Sequence, residues 1–329
     1  MLRVAVAGVG HLGRFHADKL GRIGRCRLMG VFDSQFERAQ SVGAALGVTA
    51  YADYAALLAD VDAVDIAATT TSHFELAKAA LEAGKHVCIE KPITSELWQA
   101  EELVSLAREK KLKLQVGHIE RFNPVVLKVD QFIQEPLFIE SHRISSFQPR
   151  GTDVPVVLDL MIHDIDMILD FVQSPVKEIH ASGVGILTSS VDIANARIEF
   201  ANGAIANVTS SRVSLKQERK IRFFQRDAYI SLDFVAKRAS VTKKSPDILK
   251  YLPQMMLGNT DIKAEQLVDV QTFDLSQPDK DALTLELESW VGAILDDKKP
   301  VVDGLAGLRA LQIAMQILEQ IRRQPQIHI

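Results

Sequence analysis

The sequence is poor in cysteine. It holds two, Cys26 and Cys88, in 329 residues, far apart and outside any Cys-x-x-Cys or Cys/His spacing. These features disfavour a disulfide framework and a zinc site, so we assign no metal site. We expect both cysteines to be buried free thiols in a reducing compartment.

Long apolar runs and basic runs are also missing. No uncharged apolar stretch approaches the roughly 18 residues that a membrane span requires. The apolar run at residues 3–7 is short and leads straight into a glycine-rich turn, so it predicts a first strand rather than a signal peptide. The formal net charge is −4. We therefore expect a cytoplasmic protein that has neither a membrane nor a nucleic acid as its partner.

What is present is enough apolar sequence for two domains. The chain has 329 residues and is 47% hydrophobic, which exceeds what a single core of typical size uses. A change of rhythm near Gly117 places the boundary. We predict a first domain over residues 1–121 and a second over residues 122–329.

The first third alternates short apolar runs with longer amphipathic ones. The predicted strands are residues 3–7, 27–32, 63–68, 86–90 and 113–116, and the predicted helices are 13–24, 35–46, 54–58, 73–83 and 95–110. This alternation is typical of an α/β domain with a doubly wound parallel sheet. The strands are apolar on both faces, as expected where helices cover both sides of a sheet.

The second half is dominated by strands. We predict helices at residues 124–134, 156–172, 281–295 and 305–322, and strands at 137–146, 176–187, 192–200, 204–213, 220–225 and 229–234. Asn202-Gly203 is a hairpin signal between two of these strands. No element is predicted over residues 237–266, which are polar and without a period. The fold expected for this half is an α+β domain on a mostly antiparallel open sheet.

A glycine motif follows the first strand directly. In Gly8-Val-Gly10-His-Leu-Gly13, the first glycine permits a tight turn, the second lets the backbone approach a pyrophosphate, and the third allows close helix–strand packing. Asp33 stands twenty residues after Gly13, where a carboxylate accepts hydrogen bonds from ribose hydroxyls and repels a 2′-phosphate. This predicts a Rossmann domain that binds NAD, although Arg38 nearby leaves NADP open. The alternative is a glycine turn beside a surface aspartate.

Two segments can supply acid–base chemistry for an alcohol whose hydride goes to a nicotinamide. Glu90-Lys91-Pro92 ends a strand at the carboxyl edge of the sheet, where Lys91 can hydrogen-bond the reacting oxygen. In the apolar helix 156–172, Asp159, His163 and Asp166 share one face. A paired histidine there is a candidate general base. The alternative for Lys91 is an ordinary surface lysine. The alternatives for the helix are a core histidine hydrogen-bonded to Asp159, and a metal site on that face.

The other residues assigned to the cofactor surround the glycine turn and the strand ends. His16 is interpreted as structural, and His73 as either structural or close to the cofactor. The complete predicted cofactor set is Gly8, Gly10, His11, Leu12, Gly13, Asp33, Arg38, Thr69, His73, Glu90 and Lys91.

These elements together resemble the glucose–fructose oxidoreductase, inositol dehydrogenase and rhizopine catabolism (Gfo/Idh/MocA) family, over essentially the whole chain. The resemblance is carried by Ala7-Gly8-Val9-Gly10-His11-Leu12-Gly13 with His16-Ala17, Ala83-Gly84-Lys85-His86-Val87 before Glu90-Lys91-Pro92, Asp159-x-x-x-His163-Asp164-x-Asp166, and Pro300-Val-Val-Asp-Gly304. It implies that Lys91, Asp159 and His163 line the nicotinamide and the substrate hydroxyl. It also implies oxidation of a sugar or cyclitol, and a homodimer or homotetramer formed through the exposed face of the second sheet.

One departure points to a branch of the family. Many members carry a glycine-rich turn before the Asp-x-x-x-His helix, whereas this chain has Arg150-Gly-Thr-Asp-Val-Pro there. With Gly117-His-Ile-Glu-Arg-Phe-Asn-Pro124, this resembles the UDP-N-acetylglucosamine 3-dehydrogenases, which implies oxidation of a sugar C3 hydroxyl. The predicted substrate residues are Arg121, Asn123, Arg150 and Asp166, and the cations considered for a diphosphate are Arg121, Arg143, Arg150, Arg212 and Lys216.

Three other functions stay open from the sequence. A free-sugar or inositol dehydrogenase would use the same chemistry in a smaller pocket. A non-catalytic NAD-binding regulatory module would need only the nucleotide site, so the presence of Lys91, Asp159 and His163 argues against it. A purely structural dimerisation protein is the third.

Overall fold

The computed structural model describes residues 1–147, 154–246, 248, 263 and 267–324. The chain divides into two compact units, one formed by residues 1–122 and 280–313 and the other by residues 123–279 and 314–329. The single boundary predicted after residue 121 had assigned residues 280–313 to the second domain. They belong to the first unit because apolar side chains such as Leu287 and Trp290 are buried in its core.

The first unit has strands joined by helices. Its elements are β1 (Leu2–Ala7), α1 (Gly13–Leu20), β2 (Cys26–Phe32), α2 (Phe36–Leu46), β3 (Thr49–Tyr51), α3 (Tyr54–Asp60), β4 (Ala63–Ile66), α4 (Thr70–Glu82), β5 (His86–Glu90), α5 (Leu97–Glu109), β6 (Leu114–Gly117) and a 3₁₀ turn at Ile119–Phe122. The helix Ala282–Leu295 also lies in this unit.

The first sheet is parallel, with the strand order β3-β2-β1-β4-β5-β6. The order reverses between β1 and β4, which is the point where doubly wound folds bind nucleotides. All four residues of β4 are buried, as a sheet covered on both faces requires. The prediction of a doubly wound parallel sheet is confirmed. The prediction missed β3, whose three residues are partly or fully exposed at the sheet edge.

The second unit is mostly sheet. Its elements are α6 (Pro124–Val129), a 3₁₀ turn at Asp130–Phe132, β7 (Phe138–Ile144), a π-helical turn at Val157–Met161, α7 (Ile162–Val172), β8 (Val176–Val184), β9 (Ile193–Phe200), β10 (Ile205–Ser211), β11 (Glu218–Phe224), β12 (Ala228–Asp233), β13 (Arg238–Lys244) and β14 (Val268–Asp274). We label Ala282–Leu295 α8 and the last helix, Gly304–Arg323, α9. Residues 304–313 of α9 lie in the first unit and residues 314–323 in the second.

The second sheet has the order β14-β13-β12-β11-β7-β10-β9-β8. Its neighbours are antiparallel except for the pair β7 and β10. Burial alternates along β7, so one face of the sheet is covered and the other is open. This confirms the predicted mostly antiparallel sheet. The hairpin signal is also confirmed, since β9 and β10 pair and Gly203 has φ +89°.

Two differences from the predicted elements have clear physical causes. Strand β14 was missed because its residues are largely exposed, and β13 because its residues are largely polar, with only Ala239 and Val241 buried. The predicted helix over residues 156–172 is α-helical only from Ile162, because Val157–Met161 forms a π turn. Within the described residues, no helix is both long and apolar enough to span a bilayer.

Candidate active site

The glycine turn between β1 and α1 has the geometry that the motif predicts. Gly8 has φ +86°, and a Cβ on it would stand 2.5 Å from the Cα of Ala68. A Cβ on Gly13 would overlap the carbonyl oxygen of Gly8. Gly10 has open space, since the nearest atom to its would-be Cβ is Arg38 Nη1 at 4.0 Å. A pyrophosphate can therefore approach the backbone at Gly10, so the turn fits a dinucleotide.

Asp33 ties the end of β2 to this turn. Its carboxylate is 5% exposed and accepts hydrogen bonds from the backbone N–H groups of Val9 and Gln35, both at 2.9 Å. Arg38 Nη1 donates to both carboxylate oxygens at 3.2 Å. A carboxylate has about four acceptor positions, and these contacts use them. For Asp33 to accept a ribose hydroxyl, as predicted, the exposed guanidinium of Arg38 has to give way.

Other predicted cofactor residues lie on the same turn and at the tip of β4. His11 and Leu12 are exposed on the glycine turn, and the His11 ring meets Phe15 edge to face with centroids 5.6 Å apart. Thr69 is exposed at the start of α4, where its hydroxyl is 3.3 Å from the hydroxyls of Thr71 and Ser72. Their contacts with a dinucleotide remain predictions.

The His73 ring connects the loops that follow β4 and β5. Its ring is 1% exposed, with Nδ1 2.9 Å from the Pro92 carbonyl oxygen and Nε2 3.2 Å from the Ala68 carbonyl oxygen. Burial lowers the pKa of His73, which favours a neutral ring that donates from one nitrogen only. The buried ring links the segment after β4 to the segment after β5. A direct contact between His73 and the cofactor remains a prediction.

Glu90 and Lys91 stand where β5 ends. Glu90 Oε2 accepts a hydrogen bond from the backbone N–H of Lys91 at 3.2 Å, and Lys91 itself is half-buried. Glu90 Oε1 lies 3.2 Å from His16 Nε2. On the other side of the same ring, His16 Nδ1 lies 2.8 Å from Asp65 Oδ2. A buried imidazole thus lies between two carboxylates, one of which belongs to the residue that precedes the candidate catalytic lysine.

The charges of His16 and Glu90 depend on each other. Burial alone would lower the pKa of His16, but Asp65 and Glu90 raise it well above its ordinary value. Burial alone would raise the pKa of Glu90, but hydrogen bonding and attraction to His16, then the charge of Lys91, hold it below its ordinary value. The two carboxylates therefore favour the protonated, positively charged form of His16.

In the second unit, Asp159 and His163 belong to the segment that changes from a π turn to α7. Both are half-buried, whereas Ile162, Asp164 and Asp166 around them are buried. A π turn inside a helix is frequent at functional sites because it redirects side chains. The ideal α-helical spacing predicted for Asp159 and His163 does not apply across this turn.

Asp164 anchors that helix to β7. It forms a two-pronged ion pair with Arg143, with Nε to Oδ2 at 3.0 Å and Nη2 to Oδ1 at 2.9 Å. Both residues are buried, at 2% and 3% exposure. Arg143 was considered for a diphosphate, and this is corrected: its guanidinium neutralises a buried carboxylate that has no other described counter-charge within hydrogen-bond reach.

Arg212 is corrected for the same reason. It is 5% exposed, and its Nε donates to Asp192 Oδ1 at 2.8 Å while Nη2 donates to the hydroxyls of Thr188 and Ser190. Asp192 also accepts backbone N–H groups from residues 186–188. Arg212 thus organises the loop between β8 and β9.

The remaining candidate substrate residues differ in their exposure and in their contacts. Asn123 Oδ1 accepts the backbone N–H of Val125 at 3.1 Å and so caps α6, a structural duty that the sequence prediction did not include. Arg121 is half-buried and Lys216 exposed, and Arg150 lies outside the described residues. Asp166 is buried in α7. Substrate binding by these residues remains a prediction.

Asp65, Asp164 and Asp192 were missed as site-building residues. Asp65 had a signal in the sequence: it is an aspartate in the otherwise apolar strand Ala63–Ile66. A carboxylate in such a strand requires a buried partner. Among the described residues, no group of three or more His, Cys, Asp or Glu side chains is arranged to hold a metal ion.

Comparison with known proteins agrees with this geometry. Residues 2–118 match the oxidoreductase family with an NAD-binding Rossmann fold, and residues 138–231 match the Gfo/Idh/MocA C-terminal domain. The chain is 37% identical over 317 residues to UDP-N-acetylglucosamine 3-dehydrogenase from Acidithiobacillus ferrooxidans, covering 96% of both proteins. A solved structure of that enzyme superposes with a TM-score of 0.86 over 97% of each chain. Myo-inositol 2-dehydrogenase from Thermotoga maritima is 26% identical over 343 residues, 98% of this chain and 97% of that protein.

A Rossmann unit with this glycine turn, followed by an open mostly antiparallel sheet, defines an NAD-binding oxidoreductase that acts as a dehydrogenase on CH–OH groups. The chain belongs to the Gfo/Idh/MocA oxidoreductase family.

Proposed function

We propose that this protein oxidises the C3 hydroxyl of a nucleotide-activated amino sugar such as UDP-N-acetylglucosamine, with NAD⁺ as the oxidant. The observation that carries the proposal is the full-length similarity to UDP-N-acetylglucosamine 3-dehydrogenase, at 37% identity and 96% coverage of both chains. Inositol dehydrogenases are more distant, at 26% identity for the Thermotoga maritima enzyme.

The proposed roles follow from the chemistry of alcohol oxidation. The cofactor, when bound, supplies the hydride acceptor. Lys91, at the end of β5, and His163, on α7, exchange the hydroxyl proton, and Asp159 orients His163. Arg121 and the segment containing Arg150 supply cations for the diphosphate, Asn123 and Asp166 contact the sugar, and the second unit acts as the substrate-binding domain.

A substrate panel tests the proposal. Purified protein with NAD⁺ is offered UDP-N-acetylglucosamine, other UDP-sugars, free N-acetylglucosamine and inositols, and reduced nicotinamide is followed by its absorbance. We expect a kcat/KM for UDP-N-acetylglucosamine at least about 100-fold above that for the free sugar, because unpaired diphosphate-binding cations reject the truncated substrate. Turnover of inositol without turnover of any UDP-sugar contradicts the proposal and establishes the rival dehydrogenase function.

We also propose that the chain forms a homodimer or homotetramer through the open face of the second sheet. This face carries cross-strand pairs such as Glu140–Arg222 and an aromatic row of Phe138, Phe224 and Tyr229. Charge pairs of both signs beside aromatic side chains suit a self-complementary interface.

The oligomer is tested by placing a charge at the middle of that face. Thr209 lies on central strand β10, half-buried, and accepts a hydrogen bond from Asn195 at 2.9 Å. We expect the wild type to elute as an oligomer in light-scattering chromatography and Thr209→Arg to shift towards monomer, because a buried unpaired charge opposes association. Gln131→Arg, at an exposed position outside the sheet, is the control. A monomeric wild type contradicts the proposal.

For the compartment, we propose the cytoplasm. Cys26 and Cys88 are both buried free thiols, which is the state favoured by a reducing environment.

A further inference from the structure

A buried polar row runs beneath the catalytic edge of the first sheet. Asp65, Cys88 and Gln115 are neighbours in register on β4, β5 and β6, and all three are at most 2% exposed. Gln115 Nε2 donates to the backbone carbonyl of Glu286 on α8 at 3.2 Å. Apolar side chains would fill these positions at lower cost, because charged groups lose their hydration on burial. The row therefore points to a role other than stability.

His16 on α1 connects this row to the catalytic edge. Its Nδ1 is 2.8 Å from Asp65 Oδ2 and its Nε2 is 3.2 Å from Glu90 Oε1. A neutral imidazole has one N–H, whereas both nitrogens here face carboxylate oxygens. Nδ1 is hydrogen-bonded to Asp65, while Nε2 lies within ion-pair distance of Glu90 without the geometry of a hydrogen bond. A positive charge on this ring would be attracted by both carboxylates.

Glu90 is confined by its surroundings. Oε1 faces His16, Oε2 accepts the backbone N–H of Lys91, and a Cβ on Gly117 of β6 would stand 3.1 Å from Glu90 Oε1. Glycine at position 117 therefore leaves the space that the Glu90 carboxylate occupies beside β6. The position of this carboxylate fixes both the main chain of Lys91 and a negative charge beside that residue.

We propose that His16 and Asp65 are positioning residues for catalysis, which hold Glu90 ionised and in place and thereby set the position and charge environment of Lys91. The inference rests on the proposed dehydrogenase function, in which Lys91 exchanges the substrate proton. Neither His16 nor Asp65 touches the substrate in this scheme, since both are sealed beneath the sheet edge at 2% and 0% exposure.

The pH dependence follows from the groups that face Glu90. These are His16 from α1, Lys91 beside it and His73 from α4. Asp65 faces His16, and the Cys88 thiol interacts with Asp65, with Glu286 from α8 and with Glu90. Without the positive charge of His16, two buried carboxylates lack compensation, and Glu90 takes up a proton. A higher pH is then needed to ionise Glu90, and the site is active only after Glu90 has lost this proton.

The kinetic arm of the test uses His16→Gln, which keeps the approximate size and one amide donor but removes the charge. With the alcohol that the substrate panel identifies, we expect kcat at pH 7 to fall by about 10- to 100-fold, because a small displacement of a catalytic group has that effect. The acid limb of the kcat profile moves to higher pH, so activity partly recovers on the alkaline side. KM and the NAD⁺ dissociation constant change far less than kcat.

Matched variants separate positioning from folding. Asp65→Asn, which removes the carboxylate bonded to His16 Nδ1 and leaves His16 beside Glu90, is expected to lower kcat through misplacement of His16 but not to move the acid limb to higher pH. The control is His86→Gln, since His86 belongs to the same unit but accepts the backbone N–H of Lys113 at 2.9 Å and faces neither Asp65 nor Glu90 in a hydrogen bond. A lower melting temperature with an unchanged kcat profile in His16→Gln means a structural role and overturns the proposal.

A second measurement needs no substrate and no variant that folds poorly. In ¹⁵N-histidine NMR of the wild type, we expect one ring to carry protons on both nitrogens at pH 8, where ordinary histidines are neutral. A set of histidines that are all neutral at pH 8 overturns this inference alone. Absence of turnover of every UDP-sugar by a wild type that shows the imidazolium overturns the proposed substrate instead.

Discussion

Replacement of Lys91 by methionine is expected to lower kcat by about 10²- to 10⁴-fold, the range that a positioned acid–base group contributes. Methionine keeps most of the length of the side chain but removes its charge and its proton. The NAD⁺ dissociation constant, measured by displacement of fluorescent NADH, should change far less than kcat, because Lys91 is only one of the predicted cofactor residues and the glycine turn and Asp33 remain intact.

The matched control is Lys177→Met. Lys177 is an exposed lysine at the start of β8 in the second unit, and it has no place in the proposed chemistry. We expect its kcat and melting temperature to equal those of the wild type. Unchanged turnover in Lys91→Met would contradict the assigned chemistry. If no alcohol is oxidised by the wild type while NAD⁺ still binds, the regulatory-module alternative gains support.

The sequence sufficed to predict the first sheet because local patterns there agree with the global fold. Apolar runs such as residues 4–7 in β1 are followed by amphipathic segments. The glycine motif after β1 has the spacing typical of one turn conformation, the dinucleotide-binding turn. Strand β13 could not be predicted in that way. Its residues Arg238–Lys244 are mostly polar, and the strand is held by pairing with β12 and β14.

The electrostatic partners of the site were beyond what the sequence could predict. His16 and Asp65 are 49 positions apart, and their contact depends on which face of α1 meets β4. Arg143 and Arg212 carried charges suited to a diphosphate, but burial against Asp164 and Asp192 assigns them to packing. Residue type predicts what a side chain can bind, whereas only the register of strands and helices determines what it does bind.

The domain boundary failed for a related reason. Helix α8 has an apolar pattern that predicts a buried face but does not say against which core. Its Leu287 and Trp290 are fully buried with residues of β1 and α1, more than 260 positions earlier in the chain. A chain that returns to its first domain leaves no composition signal at the return, so a single boundary was the simplest prediction.

Replacement of Gly13 by alanine is expected to weaken NAD⁺ binding by about 100-fold, equal to about 2.7 kcal/mol. The new Cβ would overlap the carbonyl oxygen of Gly8 and stand 2.9 Å from its carbonyl carbon, with the Cβ of Ala67 at 3.3 Å. Backbone cannot yield as a flexible side chain does, so α1 has to move away from the turn. The N–H groups that receive the pyrophosphate then lose their alignment.

Gly24→Ala is the matched control for this substitution. Gly24 lies in the same unit, in the turn before β2, and a Cβ on it would meet nothing within 4 Å. We expect Gly24→Ala to bind NAD⁺ like the wild type and to be unchanged or stabilised by about 0.4–1 kcal/mol, because alanine restricts the unfolded chain. Calorimetric titration with NAD⁺ and thermal unfolding separate the two variants. Wild-type affinity in Gly13→Ala would mean that the dinucleotide does not use this turn, because no contact at a distant site could preserve binding while α1 is displaced.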